Sequence, residues 1–214
     1  MSNTIHIFGF HSLEAILNSS PELILNVFVQ NSRRDRRMQD LLTKLDNQKI
    51  KYSSTDKSKL EKLAKGELHQ GVLAKIALPA LPGQDKLIEY VKHSSVNPLI
   101  LILDSIQDPR NLGACLRSAN AAGADCVVVN KDRSAPINAL VHKTSAGAIN
   151  QTKIFQVTNL ARTIRELQKN GIWVLGLDGL SNNSIYKANL CDPIAFVMGS
   201  EGKGLRKLIK TSCD

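Results

Sequence analysis

PLILILDSIQDPRNLGACLRSANAAGADCVVV, residues 98–129, contains the strand, loop, helix and second strand that decide the predicted fold. Leu99–Leu103 is a continuous apolar run of the kind found in a strand buried on both faces. Residues 104–111 interrupt it with loop and cap residues, and an amphipathic helix follows that ends near Gly123. Residues 126–129 are apolar again. This order predicts one repeat of a parallel α/β sheet.

Two polar residues of the predicted helix, Asn111 and Arg117, are expected near the carboxyl edge of the first strand. In open parallel sheets that edge is where ligands bind. Considered singly, Asn111 fits a helix N-cap and Arg117 a solvent-exposed charge. A second polar cluster near the end of the chain favours a functional interpretation of both.

The composition indicates a folded, basic protein. Of its 214 residues 43% are hydrophobic, so the chain can bury a core and is not expected to be disordered. The formal charge of +9 and the pI of about 9.5 favour a polyanionic partner. Aromatic residues make up only 4% of the chain, which argues against a single-strand binding platform of stacked rings.

The cysteines lack the spacing of a metal site and are interpreted as small buried hydrophobic residues in a reducing compartment. They are Cys115, Cys126, Cys191 and Cys213. The N-terminus lacks the pattern of a signal peptide, and no apolar run approaches the roughly 20 residues that span a membrane. We therefore expect a cytoplasmic protein with no metal and no membrane partner.

A proline- and glycine-containing stretch, residues 79–83, marks the clearest boundary in the chain. We place a compact αβ domain at 1–77, a linker with a lead-in helix at 78–97, and a second domain at 98–214. In the second domain, strands alternate with helical segments of about ten residues, which predicts a parallel sheet covered on both faces.

Two features of the N-terminal domain suggest contact with nucleic acid. Arg33, Arg34, Arg36 and Arg37 form a basic cluster at the start of a predicted helix. A charge run is usually a solvated face, but in a protein of net charge +9 it is a candidate for phosphate contact. His69 precedes the last strand of the domain and is a further candidate, although a lone histidine is more often structural.

The second polar cluster is GSEGKG, residues 199–204, which follows a predicted buried strand and precedes a helix expected to begin at about Gly204. Its three glycines allow the backbone to turn sharply and to approach a ligand closely. The segment matches neither the GxGxxG dinucleotide fingerprint nor the Walker spacing. A plain strand-to-helix turn does not require Glu201 between two glycines, which favours a functional site.

Together the two clusters resemble motifs one and two of the SpoU/TrmH family of ribose methyltransferases, members of the knotted SPOUT superfamily. The resemblance extends over essentially the whole chain, strongly over 98–206 and less strongly before residue 78. It includes the segments 108–123, 131–135 and 159–163 and, in the N-terminal domain, 69–71.

This resemblance implies the fold, the activity and the partners. The fold is α/β, with a parallel-sheet, trefoil-knotted SPOUT catalytic domain and a smaller αβ N-terminal domain that is ribosomal-protein-like and binds RNA. The activity is 2′-O-methylation of a ribose by S-adenosylmethionine, with a guanosine of large-subunit ribosomal RNA favoured over transfer RNA. A homodimer is implied, with an active site that combines groups from both subunits.

The family's site residues carry over by motif. Asn111, Arg117 and Glu201 are implied as the catalytic polar site. The cofactor-binding residues are implied at two strand ends and in the glycine segment: Leu175, Gly176, Leu177, Met198 and Gly199.

The chemistry agrees with these residue types. Methyl transfer from a sulfonium needs an in-line hydroxyl oxygen and removal of its proton, and positioning supplies much of the acceleration. The planar fork of Arg117 suits the orientation of a phosphate or a ribose hydroxyl. Because arginine side chains stay protonated in proteins, we expect Arg117 to orient and stabilise rather than act as a base. Glu201 is expected to hold Arg117 or Asn111 in register and to accept the proton indirectly.

The chain departs from the family pattern at its end. The third motif, rich in Ser and Asn, is expected shortly after Asp214, where the sequence stops. We therefore expect a truncated form that binds S-adenosylmethionine weakly or not at all, which calorimetric detection of micromolar binding would refute.

Two alternatives to a ribosomal RNA methyltransferase stay open at this point. One is a non-catalytic RNA-binding protein on the same fold, which an intact third motif in the full reading frame would argue against. The other is a nucleotide-dependent enzyme that uses residues 199–204 for phosphates. Thermal protection by S-adenosylhomocysteine but not by ATP would exclude it.

Overall fold

A computed structural model describes residues 4–94, 97–181 and 184–214. Its packing divides the chain into two compact units. The first, called the N-terminal unit, contains the described residues up to Ala80 together with Ile137–Gln151. The second, called the C-terminal unit, contains Leu81–Pro136 and Thr152–Asp214. The domain boundaries drawn from the sequence stay a prediction. They did not include the packing of Ile137–Gln151 with the N-terminal residues.

The N-terminal unit is a four-stranded mixed sheet with helices packed against it. In chain order its main elements are β1 (Thr4–Phe8), α1 (Gly9–Ser19), β2 (Ile24–Gln30), α2 (Arg36–Asn47), β3 (Tyr52–Thr55), α3 (Lys57–Ala64) and β4 (Val72–Ala77). The strand order is β1-β4-β2-β3, in which only the β2–β3 pair is parallel. Its core joins the apolar faces of α1 and α2 to the sheet, with Phe10, Leu41 and Val27 fully or nearly fully buried.

The segment Ile137–Gln151 adds a short helix to this unit. Asn138 caps that helix by accepting hydrogen bonds from the backbone N–H groups of Leu140 and Val141. Gly147 approaches α1 so closely that a Cβ on it would lie 2.9 Å from the Ala15 Cβ. The glycine therefore lets the segment pack tightly on this unit.

The C-terminal unit is the predicted parallel α/β sheet. Its main elements are α4 (Gln84–Lys92), β5 (Leu99–Leu103), α5 (Pro109–Ala121), β6 (Cys126–Asn130), β7 (Lys153–Val157), α7 (Leu160–Lys169), β8 (Trp173–Leu177), β9 (Ile194–Met198) and α8 (Lys207–Lys210). The label α6 belongs to the short helix of the N-terminal unit, Ala139–Thr144. All five strands are parallel, in the order β7-β6-β5-β9-β8. The predicted α/β architecture with a parallel sheet is confirmed.

The register of the strands brings their carboxyl ends into line. Leu103, the last residue of β5, pairs with Val129 of β6 on one side and with Met198, the last residue of β9, on the other. Met198 in turn pairs with Leu177 at the end of β8. Consequently the loops that follow β5, β8 and β9 all leave the sheet at one edge, where ligands bind in this class of fold.

Three local predictions differ from the structure. The helix α5 begins at Pro109 with Asp108 as its cap, so Asn111 lies in the first turn rather than before it. The last helix begins at Lys207 rather than near Gly204, because the glycine segment folds back on itself before the helix starts. Cys191 is exposed, so its interpretation as a buried hydrophobic residue is wrong, whereas Cys126 is buried.

Candidate active site

The loop after β9 forms a compact turn because its ends hydrogen-bond to each other. The Ser200 N–H donates to the Gly204 carbonyl at 3.1 Å, and the Gly204 N–H donates back to the Ser200 carbonyl at 2.9 Å. Gly202 and Gly204 have φ angles of 78° and 63°, the left-handed region that favours glycine. A Cβ on Gly199 would lie 2.1 Å from the Gly204 carbonyl carbon, so the turn requires a glycine at 199.

A buried ion pair joins this loop to the end of β5. Asp104 directly follows β5 and its side chain is fully buried. Its Oδ1 lies 2.6 Å from an Arg206 terminal nitrogen and 2.7 Å from Nε, and its Oδ2 accepts the Arg206 backbone N–H at 3.0 Å. Sequence reasoning missed this pair, although an acid directly after a buried strand signals a buried charge that needs a partner.

An exposed contact joins the same two segments on the solvent side. Asn111 Nδ2 donates a hydrogen bond of 2.9 Å to Glu201 Oε2, across 90 residues of sequence. Asn111 is held in the first turn of α5, which Asp108 caps through the Arg110 N–H. The structure therefore brings together two of the three residues predicted for the catalytic site.

Arg117, the third predicted catalytic residue, lies elsewhere on the same helix. It is exposed, and six residues of α-helix separate it from Asn111 by about 9 Å along the axis and about 120° around it. Within the ranges that the structure describes, Arg117 forms no ion pair. Its guanidinium is thus available to a ligand on the outer surface of α5.

A pocket of about 650 Å³ opens at the carboxyl end of β8. Three residues predicted to bind the cofactor, Leu175, Gly176 and Leu177, line it, as does Phe196. The other two predicted cofactor residues, Met198 and Gly199, are not in its lining: the Met198 sulfur lies 3.8 Å from Cys115 Sγ, and Gly199 packs against Gly204.

This pocket fits a cofactor of the size and chemistry of S-adenosylmethionine. Its volume is within the range of roughly 300–1,000 Å³ typical of small-molecule sites. The apolar side chains suit a purine face. Gly176 lets β8 pack closely on its neighbours, since a Cβ there would lie 2.9 Å from Leu205 Cδ1. Asp178 also lines the pocket, and its hydrogen bond from Lys210 lowers the pKa of its carboxyl group, which therefore stays ionised at neutral pH.

The basic cluster of the N-terminal unit divides into paired and unpaired arginines. Arg33 and Arg37 lie 4.8 and 4.5 Å from the Phe10 ring centre, as cation–π partners. Each also forms an ion pair, Arg33 with Asp35 and Arg37 with Glu14. The hydrogen bond from Arg33 lowers the pKa of the Asp35 carboxyl group.

Arg34 and Arg36 have neither a cation–π contact nor an ion pair within the residues that the structure describes. Both are exposed. Removing a charge from an exposed, unpaired arginine leaves the fold largely untouched. These two are therefore the members of the cluster best placed for an external anion.

His69 is fixed by its own loop. Its Nδ1 accepts the Gly71 backbone N–H at 3.1 Å, so Nε2 carries the proton in the neutral ring. His69, Gln70 and Gly71 line a pocket of about 610 Å³ in the N-terminal unit. Leu68, also in the lining, is 72% exposed.

The chain matches two family models. Residues 98–214 match the SpoU rRNA Methylase family, and residues 6–82 match the family described as RNA 2′-O ribose methyltransferase substrate binding. Among helices of the described ranges, none is long and apolar enough to cross a membrane.

Several curated proteins are similar over almost the whole chain. The 23S rRNA (guanosine-2′-O-)-methyltransferase RlmB of Haemophilus influenzae is 43% identical over 209 residues, 97% of this chain and 85% of that protein. The protein of the same name from Photobacterium profundum is 42% identical over 214 residues, 100% of this chain and 86% of its own length.

Solved structures share the fold at low identity. The SpoU methyltransferase AviRb of Streptomyces viridochromogenes, in complex with the cofactor AdoMet, has a TM-score of 0.81 at 18% identity, over 99% of this chain and 78% of its own. An rRNA methyltransferase from Sinorhizobium meliloti has a TM-score of 0.75 at 16% identity. The match covers 99% of this chain and 77% of that protein.

Proposed function

The chain belongs to the SpoU rRNA methylase family, and from this membership we propose that it is an S-adenosylmethionine-dependent RNA methyltransferase that methylates the ribose 2′-oxygen of a guanosine in large-subunit ribosomal RNA. The observation that carries the proposal is its 43% identity, over 97% of its length, to a 23S rRNA (guanosine-2′-O-)-methyltransferase. The net charge of +9 suits an RNA substrate.

We assign the cofactor to the pocket at the end of β8, where Leu175, Gly176 and Leu177 hold it. Against the expectation of weak or absent binding, we propose that this chain binds the cofactor well enough for turnover. S-adenosylmethionine, when bound, supplies a methyl group on a sulfonium that a hydroxyl oxygen can attack. Met198 and Gly199 act indirectly: Met198 pairs with Leu177 at the end of β8, and Gly199 permits the tight turn that carries Glu201.

The catalytic roles fall to Arg117, Asn111 and Glu201. Arg117 orients the ribose or its phosphate through its planar, always charged fork. Asn111 holds the Glu201 carboxylate by the 2.9 Å hydrogen bond to Oε2, which leaves Oε1 for another partner. Glu201 is then the proton acceptor of the site, directly or through a water molecule, because a carboxylate is the group among these three that can bind a proton.

The N-terminal unit supplies RNA affinity. Arg34 and Arg36 are its phosphate contacts, Arg33 and Arg37 support the same surface through Phe10, and His69 offers its Nε2 proton to a base or phosphate. Ribosomal RNA is favoured over transfer RNA because residues 6–82 match a substrate-binding family of RNA methyltransferases and the curated relatives are named for 23S rRNA.

Three further properties follow from membership of this family. We propose that the enzyme is a homodimer, that its C-terminal domain contains the trefoil knot of SPOUT proteins, and that it acts in the cytoplasm. Arg117 is exposed, so in the proposed dimer a partner subunit that covers this surface would exclude water from the reaction. Sedimentation equilibrium tests the dimer.

The test of the function is methyl transfer from labelled S-adenosylmethionine to 23S rRNA. A 2′-O-methyl group blocks alkaline cleavage of the neighbouring phosphodiester, so the product contains one alkali-resistant dinucleotide that begins with guanosine. Label that stays in alkali-sensitive nucleotides would indicate base methylation and would refute the proposal. Methyl transfer to tRNA but not to 23S rRNA would refute the proposed substrate and leave the proposed reaction in place.

A further inference from the structure

A second, basic pocket lies at the same edge of the sheet. It has a volume of about 410 Å³ and is separate in its lining from the pocket at β8. Three loops form it: Ser105 and Gln107 come from the loop after β5, Arg133 from the loop after β6, and Ser200 and Lys203 from the loop after β9. Loops from three strands of the C-terminal unit therefore converge on this pocket.

Two of the three cations that line this pocket have no ion-pair partner among the described residues. Arg206 also lines it, but Asp104 neutralises that guanidinium. In the described part of the chain neither Arg133 nor Lys203 forms an ion pair, and both are exposed. Two unpaired positive charges and Ser200 thus line one pocket, which is an arrangement that binds an anion.

The backbone of the lining is held in an uncommon conformation. Ser105 and Arg133 have φ angles of 64° and 62°, the left-handed region that residues with a Cβ rarely adopt. Such residues cost free energy and concentrate at ligand sites. Arg133 combines this conformation with a place in the pocket lining.

The pocket adjoins the candidate catalytic residues through the chain. Ser200 and Lys203 lie on either side of Glu201 in the turn after β9, and Gln107 directly precedes Asp108, the cap of the helix that carries Asn111. An anion in the pocket is therefore held within a few residues of the Asn111–Glu201 hydrogen bond.

We propose that this pocket binds a backbone phosphate of the RNA next to the ribose that is methylated, with Arg133 and Lys203 as its ligands. This inference rests on the proposed function for the identity of the anion. The carboxylate of S-adenosylmethionine is the other anion available, but that molecule also carries a sulfonium and an ammonium group. Its net positive charge disfavours a pocket with two unpaired cations.

The test compares two double variants with the same loss of charge. Arg133→Ala with Lys203→Ala removes the pocket cations, whereas Lys131→Ala with Lys207→Ala removes two exposed lysines that neighbour lining residues but are not in the lining. Fluorescence anisotropy gives the affinity for a 23S rRNA fragment at several salt concentrations. Calorimetry gives the affinity for S-adenosylmethionine, and methyl transfer gives KM and kcat.

The pocket variant is expected to bind RNA about tenfold more weakly, and the slope of log affinity against log salt should fall by about 0.7, the value for one lost phosphate contact. KM for RNA rises in parallel, and the affinity for S-adenosylmethionine is unchanged. The control variant should show a smaller loss in RNA affinity and a correspondingly smaller rise in KM for RNA.

Three results would overturn the inference. They are an RNA affinity and salt slope equal to those of the control variant, a weakened affinity for S-adenosylmethionine, and absence of RNA binding by the wild-type chain. The binding measurement does not depend on turnover. If the wild type binds RNA through the pocket but transfers no methyl group, the proposed function fails and the phosphate site stands.

Discussion

Two polar contacts join the segment after β5 to the loop after β9, and their surroundings are opposite. The Asp104–Arg206 ion pair has a fully buried carboxylate whose oxygens accept three hydrogen bonds from Arg206 and Ser105 side chains and from the Arg206 backbone N–H. The Asn111–Glu201 hydrogen bond leaves Glu201 exposed and one of its oxygens available.

The two contacts therefore have different roles: the ion pair holds the loop in position, and the hydrogen bond presents groups that can react. Breaking a buried ion pair leaves an uncompensated charge away from water, so Asp104 and Arg206 fix the position of the loop. An exposed hydrogen bond adds little to folding, so Asn111 and Glu201 are free to interact with a substrate. The first contact holds the loop in place, and the second presents a carboxylate from it.

The largest effect is expected at Arg117, which takes part in neither contact. Arg117→Ala should reduce kcat about 1,000-fold while the affinity for S-adenosylmethionine changes by less than about twofold, since the residue orients the RNA rather than the cofactor. Single-turnover methyl transfer and calorimetry measure the two quantities. Arg165→Ala, on the exposed face of α7, removes the same charge and should leave kcat unchanged. Loss of cofactor affinity in Arg117→Ala would show that its role is misassigned.

The next effect is on stability, at the buried contact. Arg206→Met should reduce the free energy of unfolding by about 3 kcal/mol. This is the lower end of the range for a broken buried ion pair, because the Arg206 side chain is 37% exposed. Urea denaturation measures the change. Lys207→Met, at the neighbouring exposed position, is the control and should change stability by less than about 0.5 kcal/mol.

Adding Asp104→Asn to Arg206→Met provides a second control for the same contact. Because the double variant removes both charges, it should recover part of the lost stability. If Arg206→Met costs no more than Lys207→Met, or if the second substitution worsens the loss, the contact does not anchor the loop.

A buried polar group without a partner extends the comparison to the N-terminal unit. His142 is 7% exposed, and its Nε2 has no hydrogen-bond partner among the described residues. Burial lowers its pKa from 6.5 to about 4. The folded state therefore keeps the ring neutral, and stability that is present above pH 6.5 is lost as the pH falls towards 4.

Between pH 7 and pH 5 this titration should cost about 2 kcal/mol of unfolding free energy. His142→Leu removes it, so the difference between wild type and variant isolates the histidine from carboxylates that titrate in both. The measurement is urea denaturation at the two pH values. The same pH dependence in His142→Leu would contradict the assignment.

The smallest effect is expected on RNA affinity, in the basic cluster Arg33, Arg34, Arg36 and Arg37. There too, paired and unpaired charges should behave differently. Arg34→Ala with Arg36→Ala should weaken binding to a 23S rRNA fragment by up to about tenfold and flatten its salt dependence by up to about 1.4 in log–log slope, two phosphate contacts. Arg33→Ala with Arg37→Ala should have less effect on the slope but lower the stability, since Phe10 loses both cations. Equal slopes of log RNA affinity against log salt in the two double variants would contradict the division into paired and unpaired arginines.

Much of this architecture was predictable because its signals are local. The apolar run Leu99–Leu103, the cap Asp108 with a proline at the first position of α5, and the alternation of strands and helices determine the parallel sheet. Asn111 and Glu201 were predictable as a pair because both belong to recognisable polar motifs. Their contact depends on the register of β5 with β9, which brings the two carboxyl ends together.

Other features depend on packing between distant segments and have no local signal. Arg206 lies beyond the glycine motif, and only the fold back of the loop brings it to Asp104. The glycine at 199 was predicted to approach a ligand, whereas the structure shows it approaching the backbone of Gly204. The packing of Ile137–Gln151 with the N-terminal residues is likewise invisible to hydrophobic periodicity.

The most direct measurement is the rate of labelled methyl transfer to a 23S rRNA fragment by the wild type and by Glu201→Gln, made beside urea denaturation of both. Glutamine keeps an oxygen that accepts from Asn111 but cannot take up a proton. We predict that the wild type methylates a guanosine ribose and that Glu201→Gln does so about 100-fold more slowly, with an unchanged free energy of unfolding. Equal rates, or no transfer by the wild type, would contradict the account.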